Sequence, residues 1–325
     1  MIEIATDTAL ATVQDLGRSG GLCWGVGAAG AMDNLALEVG NILLGNPRNA
    51  AAIEVQVFPF AIRFDADHDI VVTGADCAAE LDGSALPPWC TARAHDGSLL
   101  RLNPPRTGAW RGSRAYLCIA GGIGVPLVLG SRSTQLRGAF GGHEGRALRQ
   151  GDHLHVGQPA GSARDVGAMP PALAMPLLRD GVPSVRVIPA SEYDHYTEES
   201  RQRLWQASWR ITPQSDRYGF RLAGPALEPL APIELRSHGI VPGVIQVPHG
   251  GQPIVQMRDA QPTGGYPKIG TIIEADLWRL AQAPIGSEIR FIECGWEEAI
   301  AAGEEVARYL ADLARLVGLN AGLAR

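Results

Sequence analysis

Gly286-Ser287-Glu288-Ile289-Arg290-Phe291 is a turn glycine followed by alternating polar and apolar side chains, the period of a strand with one face buried. The same pattern recurs in Gly97-Ser98-Leu99-Leu100-Arg101-Leu102 and in Gly151-Asp152-His153-Leu154-His155-Val156. Short apolar runs of strand length accompany them: Ala61 to Phe64, Ile70 to Thr73, Ala115 to Ala120, Val185 to Ile188, Gly243 to Val247 and Ile254 to Met257. Forty glycines and 23 prolines in 325 residues interrupt the chain too often for an all-helical protein. The chain therefore reads as mainly β, a β-rich α+β architecture of barrels or sandwiches.

Two segments depart from that pattern. Met32 to Leu44 places Leu35, Val39, Ile42 and Leu43 on one face and ends at Gly45-Asn46-Pro47, which predicts a helix with Asp33 as a candidate cap. Beyond Cys294, Val306, Tyr309, Leu310, Leu313, Leu316 and Val317 are spaced as one face of an amphipathic helix over 296–325. Glu297, Glu298, Glu304 and Glu305 lie near its start, where carboxylates suit the helix dipole. The Ala-, Pro- and Gly-rich stretch 161–184 reads as a linker or irregular crossover between a first half, 1–160, and a second β half, 185–295.

With 46% hydrophobic and 19% charged residues the chain can bury a large core, and a formal charge of −6 argues against a nucleic-acid binder or a polybasic membrane patch. No apolar run approaches the ~18–20 residues that span a bilayer. Met1-Ile2-Glu3-Ile4 carries no basic segment followed by an apolar one, so a cytoplasmic location is expected. Five scattered cysteines without a Cys-x-x-Cys fit reduced thiols, and no metal is expected.

Lys268 is the only lysine; every other fixed cation is arginine. A compact ammonium kept where arginine serves everywhere else points to a need that a planar guanidinium does not meet. It follows Asp259 across Gln261-Pro262-Thr263-Gly264-Gly265-Tyr266-Pro267, a loop able to fold the two charges together; the alternative is a solvated hairpin lysine. Val13-Gln14-Asp15-Leu16-Gly17-Arg18 sets a carboxylate and a guanidinium in a glycine-rich loop, suited to an anion or closed by its own ion pair. Arg132, Ser133 and Thr134 are three donors suited to a carboxylate or phosphate. Gly121-Gly122 lacks the lysine and the following helix of a phosphate loop. His143 is a candidate acid or base or a surface residue, and Ser215 to Leu222 repeats the mix of carboxylate, arginine and glycine.

In order, Val13 to Arg18, Gly30-Ala31-Met32-Asp33, Gly121-Gly122-Ile123, Gly130 to Thr134, Gly141-Gly142 with Gly145-Arg146, Ser215-Asp216-Arg217, Gly243 to Pro248 and Gln261 to Pro267 closely resemble the allophanate hydrolase subunit 2 family. That family is also called KipA-like, the 5-oxoprolinase C-subunit family, or biotin-dependent carboxyltransferase. The resemblance implies two tandem cyclophilin-like β-barrel domains, the second over 185–295, and a KipI-like partner, also known as allophanate hydrolase subunit 1. It implies an ATP-hydrolysing 5-oxoprolinase that opens 5-oxoproline to glutamate, with a further LamB-like partner. The alternatives are a carboxyltransferase subunit working with biotin on another chain, or a non-catalytic regulator of a KipI-like kinase inhibitor.

Both reactions develop charge on an amide oxygen, which calls for cationic and N–H donors. Carried over residue by residue, the resemblance implies Lys268 and Asp259 as catalytic, with Asp259 orienting Lys268 or the substrate. Arg132, Ser133, Thr134, Asp15, Arg18 and Arg217 become anion or substrate contacts, and Thr263, Gly264, Gly265 and Tyr266 shape the loop. The chain departs from the family at Pro189-Ala190-Ser191-Glu192, where Gly-Pro-Gln is usual, at Gly25-Val26-Gly27, and at Gln261-Pro262-Thr263. The first departure implies a changed loop at a barrel mouth and room for another amide.

Overall fold

The computed structural model describes residues 1–6, 10–106, 112–159, 161 and 165–323. Its backbone divides into two units, 1–18 with 29–175 and 307–325, and 19–28 with 176–306.

The first unit carries β1 (Ile2–Ile4), β2 (Ala11–Gln14), helix α1 (Asn34–Leu43), β3 (Ala52–Val55), β4 (Phe60–Phe64), β5 (His68–Gly74), β6 (Glu80–Leu81), β7 (Ser84–Ala85), β8 (Thr91–Ala94), β9 (Leu99–Leu102), β10 (Ala115–Ile119) and β11 (His153–Leu154). These strands form a six-stranded sheet, β11-β1-β4-β9-β6-β7, and a five-stranded sheet, β2-β3-β10-β5-β8. Ile2, Ile4, Ile62 and Phe64 from the first and Val13, Ile53, Val72 and Leu117 from the second share one hydrophobic core. Each such side chain contributes about 1.5–3 kcal/mol on burial.

Helix α1 starts where the sequence pattern places it, because the Asp33 carboxylate accepts the Ala36 N–H at 2.9 Å. It lies so close to β10 that a Cβ on Gly40 would sit 2.5 Å from Cys118 Sγ. The preceding residues are held from below: Glu54 accepts from the Met32 N–H at 2.8 Å and from the Tyr116 hydroxyl at 2.7 Å. Tyr116 in turn accepts from the Asp33 N–H. Burial, then the nearby Glu54 and Asp33 carboxylates, push the Tyr116 phenol well above its ordinary range, so it stays a donor. Gly121 is not a phosphate cradle; a Cβ there would collide with the Gly157 carbonyl, so the glycine permits two backbones to cross.

Helix α2 (Pro171–Ala174) precedes β12 (Leu178–Arg179) and β13 (Val182–Pro189). The 161–184 stretch is thus not all linker. Asp180 and Gly181 both take positive φ and join β12 to β13 as a two-residue hairpin, a signal the Asp-Gly pair carries in sequence.

The second unit continues with helix α3 (Glu198–Gln206), β14 (Trp209–Ile211), β15 (Gly219–Ala223), β16 (His238–Gly239), β17 (Val244–Gln246), β18 (Ile254–Gln256), β19 (Thr263–Gly264), β20 (Lys268–Ile272), helix α4 (Leu277–Gln282) and β21 (Glu288–Glu293). The order β13-β20-β17-β18-β15-β14-β21 closes when β21 pairs in parallel with β13, giving a seven-stranded barrel. Closure removes the open edges of the sheet. On β21 the alternation seen in sequence is realised: Ile289 and Phe291 are buried and Glu288 is exposed. The ribbon β16-β19 stands apart from the barrel sheet.

Helix α5 (Trp296–Leu323) buries Leu310, Leu313 and Val317, whereas Leu316 falls at the edge of that stripe and is 55% exposed. Among the described residues no helix is long and apolar enough to cross a membrane.

Candidate functional site

Asp15 follows β2 directly and is buried. Its Oδ1 accepts from the Ser131 hydroxyl at 2.6 Å, the Ser133 hydroxyl at 2.5 Å and the Gly17 N–H at 2.8 Å, while Oδ2 accepts from the Arg132 N–H at 2.5 Å. The Thr134 hydroxyl donates to the Val13 carbonyl, and Arg18 donates to the Ser133 carbonyl at 2.6 Å with its guanidinium over the Phe140 ring. Ser133 and Thr134, expected as donors to a substrate anion, have 0% exposure and donate inside the protein. The cluster closes on itself and ties the 131–134 loop to β2. Of the three expected donors only Arg132 stays half-exposed, with Nε on the Val125 carbonyl. His143 lies 3.5 Å from Asp152, whose main partner is Arg146, bound through both terminal nitrogens at 2.7 and 2.9 Å.

The lysine region of the second unit is built differently. β17 and β20 pair Ile245 with Gly270 but Gln246 with Lys268, so Ile269 is an extra residue and Lys268 sits at a β-bulge. Bulges re-aim side chains out of the regular ladder. Lys268 Nζ lies 2.6 Å from His238 Nε2 and 3.3 Å from Glu192 Oε2, and Glu192 Oε2 also accepts the Lys268 N–H at 3.0 Å. The other His238 nitrogen, Nδ1, lies 2.9 Å from the Arg236 carbonyl. A carbonyl only accepts, so Nδ1 carries the hydrogen and Nε2 offers its lone pair to the ammonium. Burial pushes the Glu192 carboxyl up, but the Ser191 hydroxyl and the Lys268 N–H and charge together hold it below its ordinary value.

Asp259 does not serve Lys268. It makes a bidentate pair with Arg217 at 2.8 and 2.9 Å, with side-chain exposures of 1% and 7%. The expectation that the loop folds Asp259 onto Lys268 is corrected: both charges turn to other partners, and Lys268, at the bulge between β17 and β20, meets Glu192, which follows the other neighbour strand β13. Arg217 is likewise taken up by this buried pair.

A cavity of about 610 Å³ is lined by the Thr263 to Pro267 loop with Glu234, Ser237, His249 and Gln261 among others; Lys268, His238 and Glu192 are not in its lining, but chain neighbours of the first two are. Ser237 flanks His238 and Pro267 flanks Lys268. The loop is held from behind by two buried amides: Gln256 donates to Gln246 Oε1 at 3.0 Å, and Gln246 donates to the Tyr266 carbonyl at 3.3 Å. Gly264 packs closely there: a Cβ would sit 2.7 Å from Gln246 Nε2, so the amide would have to shift. An ammonium held by a carboxylate and an imidazole lone pair can donate to a polar planar molecule and stabilise charge on its oxygen. Nothing in this arrangement is a strong nucleophile.

The family described as carboxyltransferase domain, subdomain A and B, matches residues 24–293. The chain belongs to that family. It is 42% identical over 314 residues to the 5-oxoprolinase C subunit of Escherichia coli, covering 97% of this chain and 98% of that protein. It is 40% identical to the 5-oxoprolinase C subunit of Haemophilus influenzae, covering 98% and 99%. The solved structure of the Kluyveromyces lactis urea amidolyase matches with a TM-score of 0.87 at 27% identity, over 96% of this chain and 20% of that one.

Within the family, the geometry brings forward two residues that the sequence reading left without a role, His238 and Glu192. Glu192 lies in Pro189-Ala190-Ser191-Glu192, the segment expected from the sequence to depart from the family pattern, and that expectation was its signal. His238 had none. It reaches the site because β16 pairs with β19, setting His238 opposite Gly264, a contact between distant parts of the chain.

Proposed function

We propose that the chain is the C subunit of an ATP-hydrolysing 5-oxoprolinase, acting on a cyclic amide inside a hetero-complex. The observation that carries this reading is the 42% identity with the E. coli 5-oxoprolinase C subunit over 97% of this chain and 98% of its relative. The partners are one KipI-like and one LamB-like protein, and ATP belongs to the assembled complex. Lys268 donates to the carbonyl oxygen of the lactam as charge builds there, and the Thr263 to Tyr266 loop orients the ring. The companion reading, a carboxyltransferase working with biotin carried on another chain, draws on the likeness to urea amidolyase; in it the same lysine faces a ureido carbonyl.

The test is reconstitution. With both partners present, 5-oxoproline-dependent ATP hydrolysis and glutamate release are expected only when this chain is included. Turnover without it, or urea carboxylation with a biotin carboxylase and none with 5-oxoproline, overturns the reading.

A further inference from the structure

We infer that His238 and Glu192 are positioning residues for Lys268, holding its ammonium so that one N–H is left for the carbonyl oxygen of a small planar amide; the catalytic part of this rests on the cyclic-amide reading above. An ammonium has three donors. One lies 2.6 Å from His238 Nε2 and a second faces Glu192 Oε2 at 3.3 Å. Among the described residues no further acceptor contacts Nζ.

Both holders are themselves fixed. His238 is locked as an acceptor by the Arg236 carbonyl on its other nitrogen. Glu192 is fixed by the Ser191 hydroxyl at 2.5 Å and by the Lys268 N–H. A solvated hairpin lysine needs neither, and its side chain here is only 17% exposed. The imidazole adds no opposite charge. What it adds to the ammonium is direction, which distinguishes the cluster from an ordinary ion pair. The bulge at Ile269 and the β16-β19 ribbon bring the two basic residues together, and their chain neighbours Pro267 and Ser237 line the cavity.

Because Lys268 is the only lysine, protein grown on lysine labelled with 15N at Nζ carries a single lysine ammonium signal. In the wild-type chain slow exchange with water is expected to keep that signal visible at neutral pH. His238→Phe is expected to speed exchange roughly tenfold or more, and His238→Gln, which keeps an acceptor, to restore protection. Glu192→Gln gives an intermediate effect and replaces His238→Phe if that variant does not fold. In the reconstituted complex His238→Phe is expected to lower kcat by about 30- to 100-fold with KM within about threefold, and His238→Gln to recover most of it.

An unchanged signal in both His238→Phe and Glu192→Gln overturns the inference, and so does a changed signal with unchanged kcat. If the wild-type complex does not turn over 5-oxoproline, the substrate reading has failed. The holding of Lys268 is then decided by the exchange measurement alone.

Discussion

The Asp15 loop and the Lys268 loop look alike as sequence, each mixing charge, hydroxyls and glycine, yet they end in opposite conditions. Around Asp15 every carboxylate oxygen is met by donors from the same unit, and Ser133 and Thr134 are wholly buried. Around Lys268 two anchors hold a cation that keeps some exposure, and the loop that precedes it lines a cavity and includes a half-exposed Tyr266. A polar loop is structural when its charged group is met on every side by partners from the same fold. It is available for a ligand when one donor is left over beside space.

That contrast is broken or sharpened by substitution. The largest expected effect is on stability at the closed cluster. Asp15→Ala leaves the Ser131, Ser133, Gly17 and Arg132 donors without their acceptor and is expected to cost about 3–5 kcal/mol in denaturant unfolding. A cost under about 1 kcal/mol would make Asp15 a ligand residue after all.

At the open cluster the effect moves to activity. Lys268→Arg keeps the charge but cannot fit both His238 and Glu192. A loss of about 100-fold in turnover, near 2.7 kcal/mol in activation free energy, is expected with the melting temperature changed by only a few degrees. Full activity in that variant would return Lys268 to the status of a solvated charge. Gly264→Ala presses on Gln246 and is expected to reduce turnover by about tenfold through the shape of the loop, read as a rise in KM together with a fall in kcat.

The smallest effect concerns Asp152. Hydrogen bonding to Arg146, against some burial, lowers its carboxyl to about 2. A lowered folded-state value means that this stability is present above the unfolded value near 3.8 and is lost as pH falls from there towards about 2. With solvent screening the contribution is about 1 kcal/mol. Asp152→Asn should therefore flatten the acid limb of the stability curve while leaving turnover at neutral pH unchanged.

Much of the fold was legible locally. The runs around Leu99, Ala115, Val185, Ile254 and Ile289 are strands because alternation or apolar density over a few residues is enough to set one. Helix α1 was legible from its stripe and the Asp33 cap. Short or polar elements such as β2, β15 and α3 carry too little apolar signal, and α3 owes its start to Thr197 accepting from Ser200 N–H.

By itself the sequence determined the β-rich character, the ordered family motifs and the singular status of Lys268, all of which are properties of composition and of neighbours along the chain. Only the tertiary structure decided that Asp259 serves Arg217, that Ser133 and Thr134 are consumed by Asp15, and that Lys268 meets His238 and Glu192. Those pairings depend on strand register and on one bulge. A shift of a single residue between β17 and β20 would turn every side chain on the strand to the other face.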